Sequence, residues 1–305
     1  MTTRRADGRT GRRAVLIAGI VLLAVRPSGR LPAQTVDALA RRFAAMTAVT
    51  GYEQAMTDSL LTLLPGSARD RAGNVTLTLG SGAPTRVVFC PLDEVGYVVG
   101  NITDDGYVML RRVGTVPLPN PIYDQQLEGQ QVTLFGRRGP IPGVVGVRST
   151  HLTRGRPAAT ESPFTVDNAI VDVGASSRDE VLRLGIAMLT PVALTKRPHV
   201  YGTRLLAAPA AGRRAACAAL AAVVLSKPRV RGTVLVAFVV QTRYQRDDLA
   251  TLSNLHGPID IVRESTMPLV ASLSVKFEDT TVETVDLADA DVLMKNLVRW
   301  FGAVR

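Results

Sequence analysis

Apolar residues recur at helical spacing at Val36, Leu39, Ala40, Phe43 and Ala44, and again over residues 53–64 after a break at Gly51. Two amphipathic helices are therefore predicted first. The period then shortens to that of strands. Residues 74–79 and 86–92 read as strands, and residues 96–112 alternate around Asp104-Asp105-Gly106, a hairpin signal. From there to about residue 197 short strands alternate with Gly and Pro. Ser177-Arg178-Asp179-Glu180 forms a capping box that opens a short helix ending at Gly185. The character changes again near Pro198. Residues 209–225 are Ala-rich and helical, with Pro209 suited to the first turn. Residues 233–240 form a continuous apolar run, as in a strand buried on both faces. A further strand is expected over residues 269–277 and an amphipathic closing helix over 288–301. This order predicts an α/β domain from residues 34–95 and 198–305, interrupted by a β-barrel-like insertion at 96–197.

The N-terminus stands apart. Arg-rich residues 1–13 precede an apolar run at 14–25 that is too short to cross a bilayer, which takes about 20 residues, but has the length of a signal core. Leu31-Pro32-Ala33-Gln34 supplies a small residue for cleavage after Ala33. Gly11-Arg12-Arg13-Ala14-Val15-Leu16 looks like a twin-arginine signal, although Gly stands where Ser or Thr is usual. An ordinary secretory signal and an uncleaved anchor fit the same residues. Each places the folded part outside the cytoplasm, so residues 1–33 are set aside as a signal peptide.

Composition narrows the rest. A chain of 305 residues that is 46% hydrophobic can bury a real core and is neither disordered nor fibrous. The net charge of +10 invites nucleic acid as a partner, but residues 1–33 carry +6 of it, which leaves only +4 for the remainder. No basic stripe is interleaved with aromatics, and nucleic-acid binding is excluded. Two cysteines rule out a disulfide-dense scaffold and a Cys-rich zinc module. Cys90 and Cys217 read as small buried apolar residues. A disulfide between them is the alternative outside the cytoplasm, and it needs Cα atoms within about 7 Å.

Specific words then accumulate in order: Thr50-Gly51-Tyr52-Glu53, Asp70-Arg71-Ala72-Gly73-Asn74, Leu92-Asp93-Glu94-Val95-Gly96-Tyr97-Val98-Val99, Gly143-Val144-Val145-Gly146, Thr150-His151-Leu152, and Val171-Asp172-Val173-Gly174-Ala175-Ser176-Ser177. Val282-Glu283-Thr284-Val285-Asp286-Leu287 closes the series. The chain resembles the tetrahedral (glutamyl, deblocking) aminopeptidase family of dinuclear zinc exopeptidases, some members of which carry the label endoglucanase. The resemblance covers most of residues 36–305, with a stretch missing between about 255 and 270. It implies a zinc-exopeptidase-like sandwich, a mixed sheet flanked by helices, with an insertion that mediates assembly. It also implies two zinc ions held by His, Asp and Glu, with a Glu as general base on the bridging water.

The resemblance can be carried to individual positions. The family's His-x-Asp falls on Pro91-Leu92-Asp93, so Asp93 is the retained catalytic position and Pro91 replaces a ligand. The bridging Asp falls on Ala208 and the general base on Thr242. The ligand after the base falls on Arg243, and the last His on Asp279. Asp260 and Glu264 are candidates for the remaining Asp. A guanidinium about 4 Å from Zn²⁺ is repelled by roughly 8 kcal/mol at an effective dielectric of about 20. That rivals the roughly 10–16 kcal/mol with which a structural site holds zinc. No metal and no other cofactor is expected here in place of the family's two zinc ions.

The remaining chemistry-bearing residues read more plainly. His151 is structural. His199 and His256 are candidates for a replacement metal site with Asp93, Asp279 or Cys90, without supporting motif spacing. Arg213-Arg214 reads as a solvated helix face, with anion binding at the helix start as the alternative. No Gly-x-Ser-x-Gly elbow is present. The expectation is an exported, non-catalytic relative that binds or assembles. Its partners would be a peptide or small anionic ligand in the old cleft, a second copy of itself, or an active paralogue. The rival is an active metallo-aminopeptidase or other hydrolase with a relocated site.

Overall fold

The computed structural model describes residues 35–114, 123–147, 164–259 and 270–303. The expected signal peptide, His151, Asp260 and Glu264 lie outside the described residues.

In chain order the elements are α1 (Val36–Ala44), α2 (Gln54–Leu63), β1 (Ala68–Arg69), β2 (Val75–Gly80) and β3 (Thr85–Pro91). Then come β4 (Tyr97–Ile102), β5 (Val108–Arg112), β6 (Gln131–Gly136), β7 (Gly139–Val145), β8 (Ile170–Asp172), α3 (Arg178–Leu184) and β9 (Pro191–Leu194). The chain closes with β10 (His199–Tyr201), β11 (Leu205–Ala207), α4 (Ala211–Leu225), β12 (Thr233–Val239), α5 (Asp248–His256), β13 (Thr284–Asp286) and α6 (Leu287–Gly302).

A mixed sheet in the order β1-β2-β12-β3 forms the centre, with β12 antiparallel to β2 and parallel to β3. Alternation along its strands feeds two cores. Val88, Cys90, Val234, Val236 and Phe238 pack beneath α1, α2, α4 and α6, while Val87, Phe89, Leu235, Ala237 and Val239 pack with Leu252 of α5. The alanines of α4 are what admit it to the middle of its layer. Ala215, Ala216, Ala218, Ala219 and Ala221 have no exposure, and the short side chains let α1 and α6 approach on either flank. The expected continuous apolar strand is β12, buried on both faces.

Strands β4-β5-β8-β7-β6-β9 close into a six-stranded barrel in which every pairing is antiparallel. It has its own core, including Val99, Leu110, Val132, Leu134, Val171 and Val192. The hairpin at Asp104–Gly106 turns where expected, with Gly106 at φ 88°. Ser177 caps α3 through the Glu180 amide, and Gly185 ends it in the left-handed conformation.

Two expectations shift. The strand expected over residues 269–277 is not continuous in its described part. Val270 makes one parallel bridge to Phe89, and Lys276 makes one antiparallel bridge to Thr284. Left-handed backbone at Phe277 and Asp279 then turns the chain out of any extended register. Helix α4 also begins two residues later than Pro209, because Ala210 is itself left-handed and forms the N-cap.

Candidate active site

Parallel β3 and β12 end side by side, with Pro91 opposite Val239. The segments that leave them, Leu92-Asp93-Glu94 and Val240-Gln241-Thr242-Arg243, meet the first turn of α4. This is the strand-end, helix-start position at which α/β folds place their sites. The loop before β13 closes the fourth side.

Asp93 is fully buried and its carboxylate is committed. Oδ1 accepts from the Thr242 hydroxyl at 2.6 Å. Oδ2 accepts from the Thr50 hydroxyl at 2.9 Å and the Arg243 amide at 3.1 Å. The Arg213 guanidinium lies 3.7 Å from Oδ1 and also approaches the Asp93 carbonyl and the Thr242 hydroxyl at 3.4 Å. Arg243, itself largely buried, pairs with Asp279 at 3.6 Å. Burial and the nearby charge of Arg243 both press the Arg213 pKa downward.

The side chain of Glu94, the residue after Asp93, is almost wholly buried. It forms ion pairs with Lys196 and, at 3.1 Å, with Arg214, while Oε1 accepts from the Ala48 amide at 3.1 Å. Arg214 also donates to the Leu92 carbonyl. Burial alone would raise the Glu94 pKa, but the Lys196 and Arg214 charges outweigh it and hold the carboxyl below its ordinary range. The solvated face expected for Arg213-Arg214 is thus corrected for Arg214, which has no exposure and serves as an internal counter-ion.

Helix α4 lacks a side-chain cap of its own. Glu283 supplies one from across the cleft, accepting from the Gly212 amide at 2.9 Å and from the Asp279 amide at 3.2 Å. Burial raises the Glu283 pKa, while both amides work against that. Gly212 is required here, since a Cβ would stand 2.4 Å from Val275 Cγ1. Glu53 plays a similar part at the end of β12, accepting from the amides of Gly51 at 3.0 Å and Gln241 at 2.9 Å, and burial raises its pKa.

The backbone at this end is unusual. Ala210, Gln241, Gln245, Phe277 and Asp279 all have positive φ without being glycine. Each such residue costs of order 1–3 kcal/mol and persists only where its surroundings dictate it. Ala210 and Asp279 line the cleft itself.

Of the positions inferred from sequence, Asp93, Thr242, Arg243 and Asp279 are joined by direct contacts. Pro91 ends β3 beside them, and buried Ala208 is tied to the Asp279–Glu283 loop through its amide to the Glu283 carbonyl at 3.0 Å. The cavity left between Glu94, Pro209, Arg213, Arg243, Asp279 and Glu283 measures about 30 Å³. His199 and His256 do not join it. His256 lies 3.3 Å from Asp70, and His199 stacks on Tyr201. Cys90 is not a free thiol but is bonded to Cys217, with Cα atoms 5.5 Å apart, so the alternative reading of the cysteines holds. Among the described residues, no three His, Cys, Asp or Glu side chains come together so as to hold a metal ion. Sequence reasoning missed Lys196, Glu53 and the inward turn of Arg214. Their only signal was charge beside apolar runs, which solvated residues share.

The model of the M42 glutamyl aminopeptidase family matches residues 73–242, more than half of the chain. SgcX of Escherichia coli K12 is 30% identical over 249 residues, 79% of this chain and 62% of that protein. The lysyl aminopeptidase of Pyrococcus furiosus is 34% identical over 147 residues, 47% of this chain and 40% of that enzyme. This chain therefore spans less than two thirds of the length of either relative. The solved TET1 peptidase of Pyrococcus horikoshii, described as assembling into a tetrahedron or a large octahedral shell, superposes with a TM-score of 0.71 at 19% identity, covering 88% of this chain and 100% of that one. That likeness bears on the fold, and the α/β sandwich with its barrel is the shared architecture. By the family match across its sheet, barrel and strand ends, this chain belongs to the M42 glutamyl aminopeptidase family.

Proposed function

We propose that this protein is an exported, non-catalytic member of the family, in which side chains fill the place of the metal centre and the remaining role is assembly. The observation that carries the reading is the pairing of Arg243 with Asp279 above an Asp93 whose oxygens are already taken. A dinuclear zinc site needs several anionic or imidazole donors converging on open space. Here Pro91 and Ala208 offer no side-chain donor, Thr242 is no general base, and two guanidiniums stand among the carboxylates. Arg213 lies beside Asp93 and Arg243 beside Asp279, while Lys196 and Arg214 pair with Glu94.

A cavity of about 30 Å³ has room for roughly one water-sized guest. That favours a small anion over a peptide end as any ligand of the cleft. Assembly has the better support. A fold relative forms a tetrahedron or octahedral shell, so a homo-oligomer, or mixed assembly with an active paralogue, fits this chain. Export is supported by the Arg-rich start with its short apolar run and by the buried disulfide, a bond that persists in oxidising compartments.

The test is metal analysis of the purified mature protein together with an aminopeptidase assay on amino-acid anilides, with zinc, manganese or cobalt added. Neither stoichiometric metal nor hydrolysis is expected. Bound metal with metal-dependent turnover would replace this reading with that of an active aminopeptidase. Light scattering tests the assembly, and a monomer at micromolar concentration in the absence of a paralogue would count against self-association.

A further inference from the structure

Cys90 lies in β3, three residues before Asp93, and Cys217 lies one turn beyond Arg213 on α4. Their disulfide joins the central sheet to the central helix. Neither residue has any solvent exposure, and both belong to the large core that also contains Val88, Phe238 and Leu220. The two are 127 residues apart in sequence, and the whole barrel, from Tyr97 to Leu194, lies between them. The bond thus closes a covalent ring around the insertion at the floor of the cleft.

We propose that this bond forms while the core is still open and is sealed when the core closes, so that the full stability of the native fold depends on oxidation during folding. In chemical terms, the thiolate of one cysteine attacks a disulfide donor, either a protein or a low-molecular-weight disulfide. A mixed disulfide forms and one donor thiol leaves. The second cysteine's thiolate then attacks the cysteine sulfur of that mixed disulfide, forming the Cys90–Cys217 bond and releasing the second donor thiol. Two electrons and two protons pass from the cysteines to the donor. Both displacements require a sulfur that an outside molecule can reach. In the closed core neither sulfur meets that condition, so the same burial that blocks late oxidation also blocks reduction. A ring of this length lies at the large end of the entropy a cross-link withdraws from the unfolded chain.

The experiment uses the mature protein isolated from an oxidising compartment and counts thiols. After an hour in millimolar dithiothreitol without denaturant, no thiol is expected. With denaturant added, both cysteines should react. Protein reduced in denaturant and returned to native buffer with reductant present should melt about 10 °C lower, or without a cooperative transition. The Cys90→Ala/Cys217→Ala variant should share the lowered melting temperature. If it does not fold, the thiol count on the unaltered chain decides. Two free thiols in the isolated protein, rapid thiol release in native buffer, or an unchanged melting temperature after reduction would each overturn the proposal. The proposal rests on the export part of the proposed function; none of its readouts involves metal or turnover, so its failure is distinguishable from failure of the non-catalytic reading.

Discussion

Arg214, a guanidinium without solvent exposure, lies 3.1 Å from Glu94, a carboxylate that is 2% exposed. Lys196 completes the group from the chain that leaves the barrel. A buried pair of this kind adds little over apolar replacements, yet removal of one member strands a charge. Glu94→Gln is therefore expected to cost about 3–5 kcal/mol in urea unfolding. Glu94→Leu combined with Arg214→Met should cost less than the sum of the two single changes.

The same pair sets a pH dependence. The Glu94 pKa is lowered in the folded state. Its stabilisation is present above the unfolded value of about 4.3 and is lost as pH falls through the lower folded value. The native protein should lose stability over that acid window more steeply than Glu94→Gln does. Parallel acid titrations of the two, followed by circular dichroism, would measure the difference, and superimposable curves would remove Glu94 from the account.

The fold was legible because its signals are local and periodic. Helical spacing marked α1, the unbroken apolar run marked β12, and the capping box with Gly185 bounded α3. The segment before β13 misled because Leu, Val, Ala and Ser alternate there as in a strand, while the left-handed turns at Phe277 and Asp279 carry no glycine to announce them. The site was legible only position by position. Asp93 and Arg243 were expected near one another and are in contact, but that Arg214 turns inward while Arg213 turns to the cleft depends on where Glu94 and Lys196 arrive from 120 and 18 residues away. Nothing local encodes that.

On the proposed function, Arg243→Glu would place a carboxylate at a former ligand position, and it should restore nothing else. The new side chain would face Asp279, now 3.6 Å from the guanidinium, as a like charge, while Pro91 and Ala208 still withhold donors. No stoichiometric zinc and no anilide hydrolysis above background are expected, together with a stability loss of about 1–3 kcal/mol from the broken pair. Elemental analysis after dialysis and a thermal melt with and without added zinc would check both.

The ion pair between Glu94 and Lys196 also brings the entrance and exit of the barrel together. The three hydrophobic cores are composed of different residues, and the barrel's contains none from the sheet. We therefore expect a chain in which residues 97–194 are replaced by a short Gly/Ser linker to unfold in urea as a single cooperative transition. A broad, non-cooperative transition would mean that the sandwich needs the barrel for its own packing.

Arg86 tests a contact at the opposite end of the sheet. It is 6% exposed, and its guanidinium donates to the carbonyls of Trp300 at 2.7 Å, Arg231 at 2.7 Å and Phe301 at 3.1 Å. It also lies 4.5 Å from the centre of the Trp300 ring. The fork adds charged donors to carbonyls in the last turn of α6, where Trp300 also accepts from the Ala303 amide and Phe301 from the Arg231 amide, and its positive charge meets the negative end of the helix dipole. Arg86→Leu should cost about 2–4 kcal/mol, combining lost charged hydrogen bonds with the lost cation–π contact. Arg86→Lys should recover less than half, since a single ammonium lacks the fork with which the guanidinium reaches three carbonyls. Trp300 is the only tryptophan in the chain, so its emission reports this contact directly. The leucine variant should shift that emission and speed amide exchange in the last turn of α6, while unchanged emission and a stability loss below about 0.5 kcal/mol would show that the cap contributes nothing.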